Sequence, residues 1–128
     1  MSILPQLKVL VVDDTATSRM LVIDALQEIG FRQIAFARDG VEGLKAAMNS
    51  KVHLIVSDYE MPGLDGVSFL KKLREYQPTR HIPFIMVTGR GDRAVIERAR
   101  QFGLNNFVPK PFTTASLKAS LAAVIRGI

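Results

Sequence analysis

The stretch LIVSDYEMPGLDG, residues 54–66, indicates the fold more strongly than any other part of the sequence. It begins with Leu54–Ser57, a run of mostly apolar residues without polar alternation. Such a run is typical of a parallel strand that is buried on both faces. The run ends in Asp58, and Asp65 can cap a helix that carries Phe69, Leu70 and Leu73. The stretch therefore predicts a buried strand with an acid at its carboxyl end, followed by a helix.

The same alternation extends in both directions from this stretch. Four further apolar and β-branched runs predict strands at Lys8–Val12, Ile34–Ala37, Phe84–Val87 and Asn106–Val108. Segments with helical spacing follow each run, with stop signals at Gly30 and Gly103 and N-caps at Asp39 and at Thr113 or Thr114. Five strand–helix units predict a doubly wound α/β fold, with helices on both faces of a parallel sheet. We expect residues 1–128 to form a single domain.

The composition excludes several classes of protein. With 48% hydrophobic and 23% charged residues, the chain can build a core and does not resemble a disordered protein. No apolar run reaches the roughly 20 residues of a membrane span, and the start lacks a signal peptide. There is no Cys, and the net charge of +5 comes from scattered basic residues. These features favour a cytoplasmic protein that binds neither nucleic acid nor membrane.

Chemically active side chains follow four of the predicted strands. Asp13 and Asp14 follow the first strand, Asp58 the third, Thr88 the fourth and Lys110 the fifth. Because the carboxyl ends of parallel strands meet at one edge of the sheet, we expect these side chains to lie together. Singly, each acid has a simpler role as a cap or turn former. Together, three carboxylates repel one another unless a cation is present, and such an oxygen-rich set suits Mg²⁺.

This combination of groups favours phosphoryl transfer. An aspartate can act as a nucleophile and form an acyl phosphate. Asp58 is the candidate nucleophile, because it is the single acid at the end of Leu54–Ser57, the central one of the five predicted strands. Asp13 and Asp14 would hold the metal, while Lys110 and Thr88 would contact the phosphoryl oxygens from the opposite side.

Four motifs then connect the chain to a known family. They are VLVVDD (9–14), LIVSDYEMPGLDG (54–66), IMVTG (85–89) and VPKPF (108–112). With these motifs the chain resembles the response-regulator receiver domains of bacterial two-component systems, and among them the single-domain chemotaxis regulators. The likeness extends from Lys8 to about Arg126. It implies a flavodoxin-like five-stranded sheet of order 2-1-3-4-5 with five helices.

The resemblance also implies a role for each site residue. The metal, Mg²⁺ or Mn²⁺, would be bound by the side chains of Asp13, Asp14 and Asp58 and by the backbone carbonyl of Glu60. Asp58 would be the phosphorylated residue, Thr88 the switch hydroxyl, and Lys110 the lysine of a cis Lys–Pro bond. In such a family the domain accepts a phosphoryl group and assists its own phosphorylation and dephosphorylation, and it is not an enzyme.

Five residues give less decided signals. Glu60 and Arg90 flank the predicted site, so they are either two exposed charges or an ion pair that alters access of the attacking water and sets the lifetime of the phosphorylated state. Phe107 replaces a tyrosine that many chemotaxis receivers carry, and it is either an inward-turning switch residue or a static core residue. Arg93 and Arg100 belong either to a solvated helix face with i,i+4 ion pairs or to the basic rim of an output surface.

The predicted function is that of a diffusible signalling protein. A chemotaxis histidine kinase would phosphorylate Asp58, and the output partner would be a flagellar-motor switch protein. Because the sequence ends at Ile128, we expect no output domain and a monomer that signals through a binding surface. One alternative is a phosphate sink or phosphorelay shuttle without a motor target. Another is a metal-dependent phosphatase with Glu60 as general acid/base, although no substrate-capping insertion supports it.

Overall fold

The computed structural model describes residues 2–89 and 92–125 of the chain. A short 3-10 helix, Leu4–Gln6, precedes five alternating strands and helices. The strands are β1 (Lys8–Val12), β2 (Gln33–Ala37), β3 (Leu54–Asp58), β4 (Phe84–Thr88) and β5 (Asn106–Pro109). The helices are α1 (Ala16–Ile29), α2 (Gly40–Asn49), α3 (Gly66–Glu75), α4 (Arg93–Gln101) and α5 (Thr114–Ala122). Every predicted strand is present and differs from its predicted bounds by no more than one residue at either end.

The five strands form one parallel sheet in the order β2-β1-β3-β4-β5, which confirms the predicted fold. The order reverses between β1 and β3, where Val12 pairs with Ser57. Asp58 pairs in turn with Val87 of β4. Ligands of such sheets bind at the carboxyl ends of the strands beside this reversal. The topology therefore brings the ends of β1, β3 and β4 together.

Each face of the sheet carries its own apolar core. Leu10 and Val12 of β1 pack in the core covered by α2, α3 and α4. The alternate residues Val9 and Val11 pack in the core with α1 and α5. Full burial of such aliphatic side chains stabilises the fold by roughly 1.5–3 kcal/mol each. No helix within residues 2–89 and 92–125 has the length and apolar character needed to cross a membrane.

The predicted helix ends are also confirmed. Asp39 accepts a hydrogen bond from the N–H of Glu42, and Asp65 accepts one from the N–H of Ser68, each at 2.8 Å. Of the two threonines considered for the last helix, Thr113 is the N-cap and forms a reciprocal capping box with Ser116. Gly30 ends α1 with φ 130°, a value that side chains disfavour. Gly103 follows α4 with φ 84°.

Candidate functional site

The three predicted acids lie together at the carboxyl edge of the sheet. One carboxylate oxygen from each of Asp13, Asp14 and Asp58 lies within 4.8 Å of the other two. Asp13 and Asp58 are buried, with exposed fractions of 2% and 7%, whereas Asp14 is exposed. A cleft of about 280 Å³ opens above them, and it is lined by Asp14, Thr15, Asp58, Glu60, Gly89 and Lys110.

Asp13 is held in a fixed orientation by the start of α1. Its Oδ1 accepts a hydrogen bond from the N–H of Thr15 at 3.0 Å, and its Oδ2 accepts one from the hydroxyl of Ser18. The guanidinium of Arg19 donates to the Asp13 carbonyl at 2.9 Å and stacks over the ring of Phe36. Ser18 was not predicted, because its only signal in the sequence is a serine five residues after an acid.

Asp58 is buried beside a lysine. The Nζ of Lys110 lies 3.1 Å from its Oδ1, which also accepts a hydrogen bond from the N–H of Tyr59 at 2.8 Å. Burial is the largest influence and raises the pKa of Asp58, and the negative charge of Asp13 acts in the same direction. Lys110 and the Tyr59 N–H oppose this shift, but the net pKa remains raised. The site thus disfavours the ionised carboxylate that a nucleophile requires.

A divalent cation fits this set of donors. Oxygens around an octahedral Mg²⁺ at about 2.1 Å lie roughly 3–4.2 Å apart, and the three acids place one oxygen each within 4.8 Å of the others. A cation would also neutralise the repulsion between Asp13 and Asp58 and so favour the ionised form of Asp58. Glu60 is exposed and lines the same cleft. The acidic triad of Asp13, Asp14 and Asp58 is therefore typical of a magnesium site.

Thr88 lies at the carboxyl edge of the sheet, as predicted, but its hydroxyl donates to a residue other than the three acids. It is the last residue of β4 and is 2% exposed, and its Oγ1 donates to Oδ2 of Asp92 at 2.9 Å. Its carbonyl accepts a hydrogen bond from the N–H of Lys110 at 2.7 Å, which ties β4 to the end of β5. The Lys110–Pro111 peptide bond is cis, as the resemblance implied. Asp92, four residues beyond Thr88, was not predicted as a site residue.

Three of the remaining predicted residues do not line this cleft, and the fourth lies outside the described residues. Arg90 is not among the described residues. Phe107 is half-buried on β5 and packs against the core covered by α2, α3 and α4. Arg93 and Arg100 are exposed on α4. The Nε of Arg100 lies 3.8 Å from Oε1 of Glu97, which is three positions earlier in the chain. Such an exposed ion pair stabilises the helix very little.

Comparisons with known proteins agree with this geometry. Residues 9–122 match the family described as response regulator receiver domain. A "Probable chemotaxis protein CheY" of Rhizobium etli is 47% identical over 124 residues, which are 97% of this chain and 96% of that protein. The chemotaxis response regulator CheY4 of Vibrio cholerae superimposes with a TM-score of 0.85 at 30% identity, over 93% of this chain and 98% of that one.

A third similar structure carries a metal. The receiver domain of a sensor histidine kinase from Pseudomonas aeruginosa PAO1 has a TM-score of 0.81 at 27% identity, over 91% of this chain and 94% of that one. That structure has a magnesium ion coordinated in its active site cleft.

Proposed function

The chain belongs to the response regulator receiver domain family, and we propose that it is a CheY-type chemotaxis regulator phosphorylated on Asp58 by a histidine kinase. As a member of this family it is a phospho-acceptor signalling protein and not a classical enzyme. The observation that carries the assignment of Asp58 is its position, buried between two further acids and the ammonium of Lys110. The similarity to chemotaxis proteins over nearly the whole chain supports the pathway.

We assign the metal site to the carboxylates of Asp13, Asp14 and Asp58 and to the backbone carbonyl of Glu60. Mg²⁺ or Mn²⁺ bound there would neutralise negative charge on the phosphoryl oxygens. The hydrogen bonds from Thr15 and Ser18 keep Asp13 in place for this role. The magnesium in the similar receiver domain supports the assignment.

The phosphoryl group would arrive from a phosphohistidine of the kinase. An oxygen of Asp58 forms a bond to phosphorus as the phosphorus–nitrogen bond to the histidine breaks. Lys110, whose Nζ is 3.1 Å from Oδ1 of Asp58, is placed to bind a phosphoryl oxygen. Thr88 binds another oxygen once its hydroxyl leaves Asp92.

The signal would leave through the face formed by α4, β5 and α5. The shift of Thr88 favours a conformer in which Phe107 and α4 repack, and this change is a population shift. Arg93 and Arg100 would contact the output partner, which we propose is a flagellar-motor switch protein. The double variant Arg93→Glu/Arg100→Glu should lose partner binding but still be phosphorylated. If phosphorylated wild-type protein bound no motor protein in a pull-down, the phosphate-sink alternative would replace this output.

Glu60 and Arg90 would set the lifetime of the phosphorylated state by limiting access of water. Glu60 is exposed at the cleft, which is consistent with this role, and Arg90 lies outside the described residues. The double alanine variant should lose phosphate faster than the wild type in a time course of the phosphorylated protein. An unchanged rate would rule out a role of these two side chains in setting the lifetime.

The assignment of Asp58 is tested by mass measurement after incubation with acetyl phosphate and Mg²⁺. Wild type should gain the mass of one phosphoryl group, and EDTA should prevent the gain. Asp58→Asn should gain nothing, whereas the control Asp24→Asn, which changes an exposed aspartate of α1, should behave as wild type. An adduct on Asp58→Asn equal to that on wild type would refute the proposed acceptor.

A further inference from the structure

The hydroxyl of Thr88 is committed to a partner outside the acidic triad. It donates to Oδ2 of Asp92 at 2.9 Å, and its other contact, with the carbonyl of Gly89, is 3.4 Å and too long for a good O–H···O bond. The acceptor is a carboxylate, so the bond is charge-assisted and stronger than one between neutral groups. Thr88 is 2% exposed, so little water competes at its position.

This bond excludes the contact that Thr88 would make in the phosphorylated state. A threonine hydroxyl has one hydrogen, and both a carboxylate and a phosphoryl oxygen accept hydrogen bonds. Thr88 can therefore donate to Asp92 or to a phosphoryl group on Asp58, but not to both. Whatever stabilises the first bond lowers the population of the second.

Within residues 2–89 and 92–125, the Asp92 side chain has no hydrogen-bond partner other than Thr88. It occupies the N-cap position of α4, yet its carboxylate makes no capping hydrogen bond, in contrast to Asp39 of α2 and Asp65 of α3. Its backbone carbonyl accepts from the N–H of Ile96 at 3.0 Å, and a side-chain substitution would leave that bond in place. The carboxylate thus joins the end of β4 directly to the start of α4.

We propose that Asp92 is a positioning residue that holds the Thr88 hydroxyl in its unphosphorylated orientation and thereby opposes the active conformer. The inference rests on the proposed function, because it assumes that Asp58 carries the phosphoryl group. It adds a regulatory residue to the site and couples α4 to Asp58. By reciprocity, a partner that moves Asp92 when it binds α4 would strengthen phosphoryl binding at Asp58.

The test is calorimetric titration with beryllofluoride, a mimic of the phosphoryl group, in saturating Mg²⁺. Asp92→Ala should bind it about tenfold more tightly than wild type, because the competing charged hydrogen bond is lost. Asp92→Asn should be intermediate, since its amide oxygen still accepts but carries no charge. The control Glu97→Ala removes an exposed charge from the same helix and should bind as wild type.

A second pair of variants separates positioning from a structural effect. In a Thr88→Val background the hydroxyl is absent, so adding Asp92→Ala should leave beryllofluoride affinity unchanged. Equal tightening in both backgrounds, tightening by Glu97→Ala, or no tightening in the wild-type background would overturn the inference. If wild type itself bound no beryllofluoride, the proposed function would fail instead. Circular dichroism of each variant confirms that it is folded.

Discussion

Replacing Lys110 by methionine tests how much the ammonium of Lys110 stabilises the buried carboxylate of Asp58. The Nζ of Lys110 lies 3.1 Å from Oδ1 of Asp58, and the side chains are 34% and 8% exposed respectively. Methionine keeps an unbranched apolar side chain, one atom shorter than that of lysine, and removes the positive charge. In the variant, the N–H of Tyr59 still donates to Asp58, while the repulsion from Asp13 persists.

The expected loss follows from the exposure of the two partners. A hydrogen bond to a charged group stabilises a protein by about 1.5–3 kcal/mol. Because a third of Lys110 is in contact with water, screening reduces this contribution, and we expect a loss of about 1–2 kcal/mol in the free energy of unfolding at pH 7 in EDTA. In saturating Mg²⁺ the loss should fall to about half or less, since the cation supplies the missing positive charge.

Urea denaturation followed by circular dichroism measures both losses. With m-values of about 1–3 kcal/mol/M, the EDTA midpoint should fall by roughly 0.3–2 M. The control Lys118→Met removes an exposed charge from α5 and should shift neither midpoint appreciably. The reasoning is refuted if Lys110→Met is as stable as wild type in EDTA, or if Mg²⁺ leaves its loss unchanged.

Three further substitutions test other parts of the structure by urea denaturation in EDTA. Because burial raises the pKa of Asp58, the wild type loses stability as pH rises through that pKa. Asp58→Asn should therefore match the stability of wild type below pH 3.8, the ordinary pKa of the carboxyl, and should be more stable than wild type at pH 7. Equal stability at pH 7 would contradict this. Gly66→Ala would place a Cβ 2.6 Å from the Asp58 carbonyl and 2.9 Å from Cα of Tyr59, and should lose about 1–3 kcal/mol and slow phosphorylation by acetyl phosphate. Thr113→Ala removes the cap that pairs with Ser116 and should lose about 1 kcal/mol, whereas Thr113→Ser should lose little.

Local sequence signals accounted for the secondary structure because each has a short-range cause. The apolar run Leu54–Ser57 predicts a strand buried on both faces, and β3 is buried at each of its five positions. The caps Asp39 and Asp65 act on N–H groups three residues away, so the chain nearby suffices to identify them. The choice between Thr113 and Thr114 needed the structure, because two adjacent threonines before the same helix give the same N-cap signal.

The composition of the site was also predictable, for a topological reason. Once the strands are parallel, every residue that directly follows one lies at the same edge of the sheet. Asp13, Asp14 and Asp58 meet there, as expected. The roles assigned to Thr88 and Lys110 in binding phosphoryl oxygens remain predictions.

The sequence by itself determined the alternation of strands and helices, the edge of the sheet that carries the chemically active side chains, and the acids that meet there, because periodicity and chain order encode all three. Only the tertiary structure decided which groups these side chains touch. Rotamers and loop paths decide two hydrogen bonds, that of Thr88 to Asp92 and that of Ser18 to Asp13. Burial decides the raised pKa of Asp58. These properties arise from contacts among separate elements, and no residue pattern along the chain specifies them.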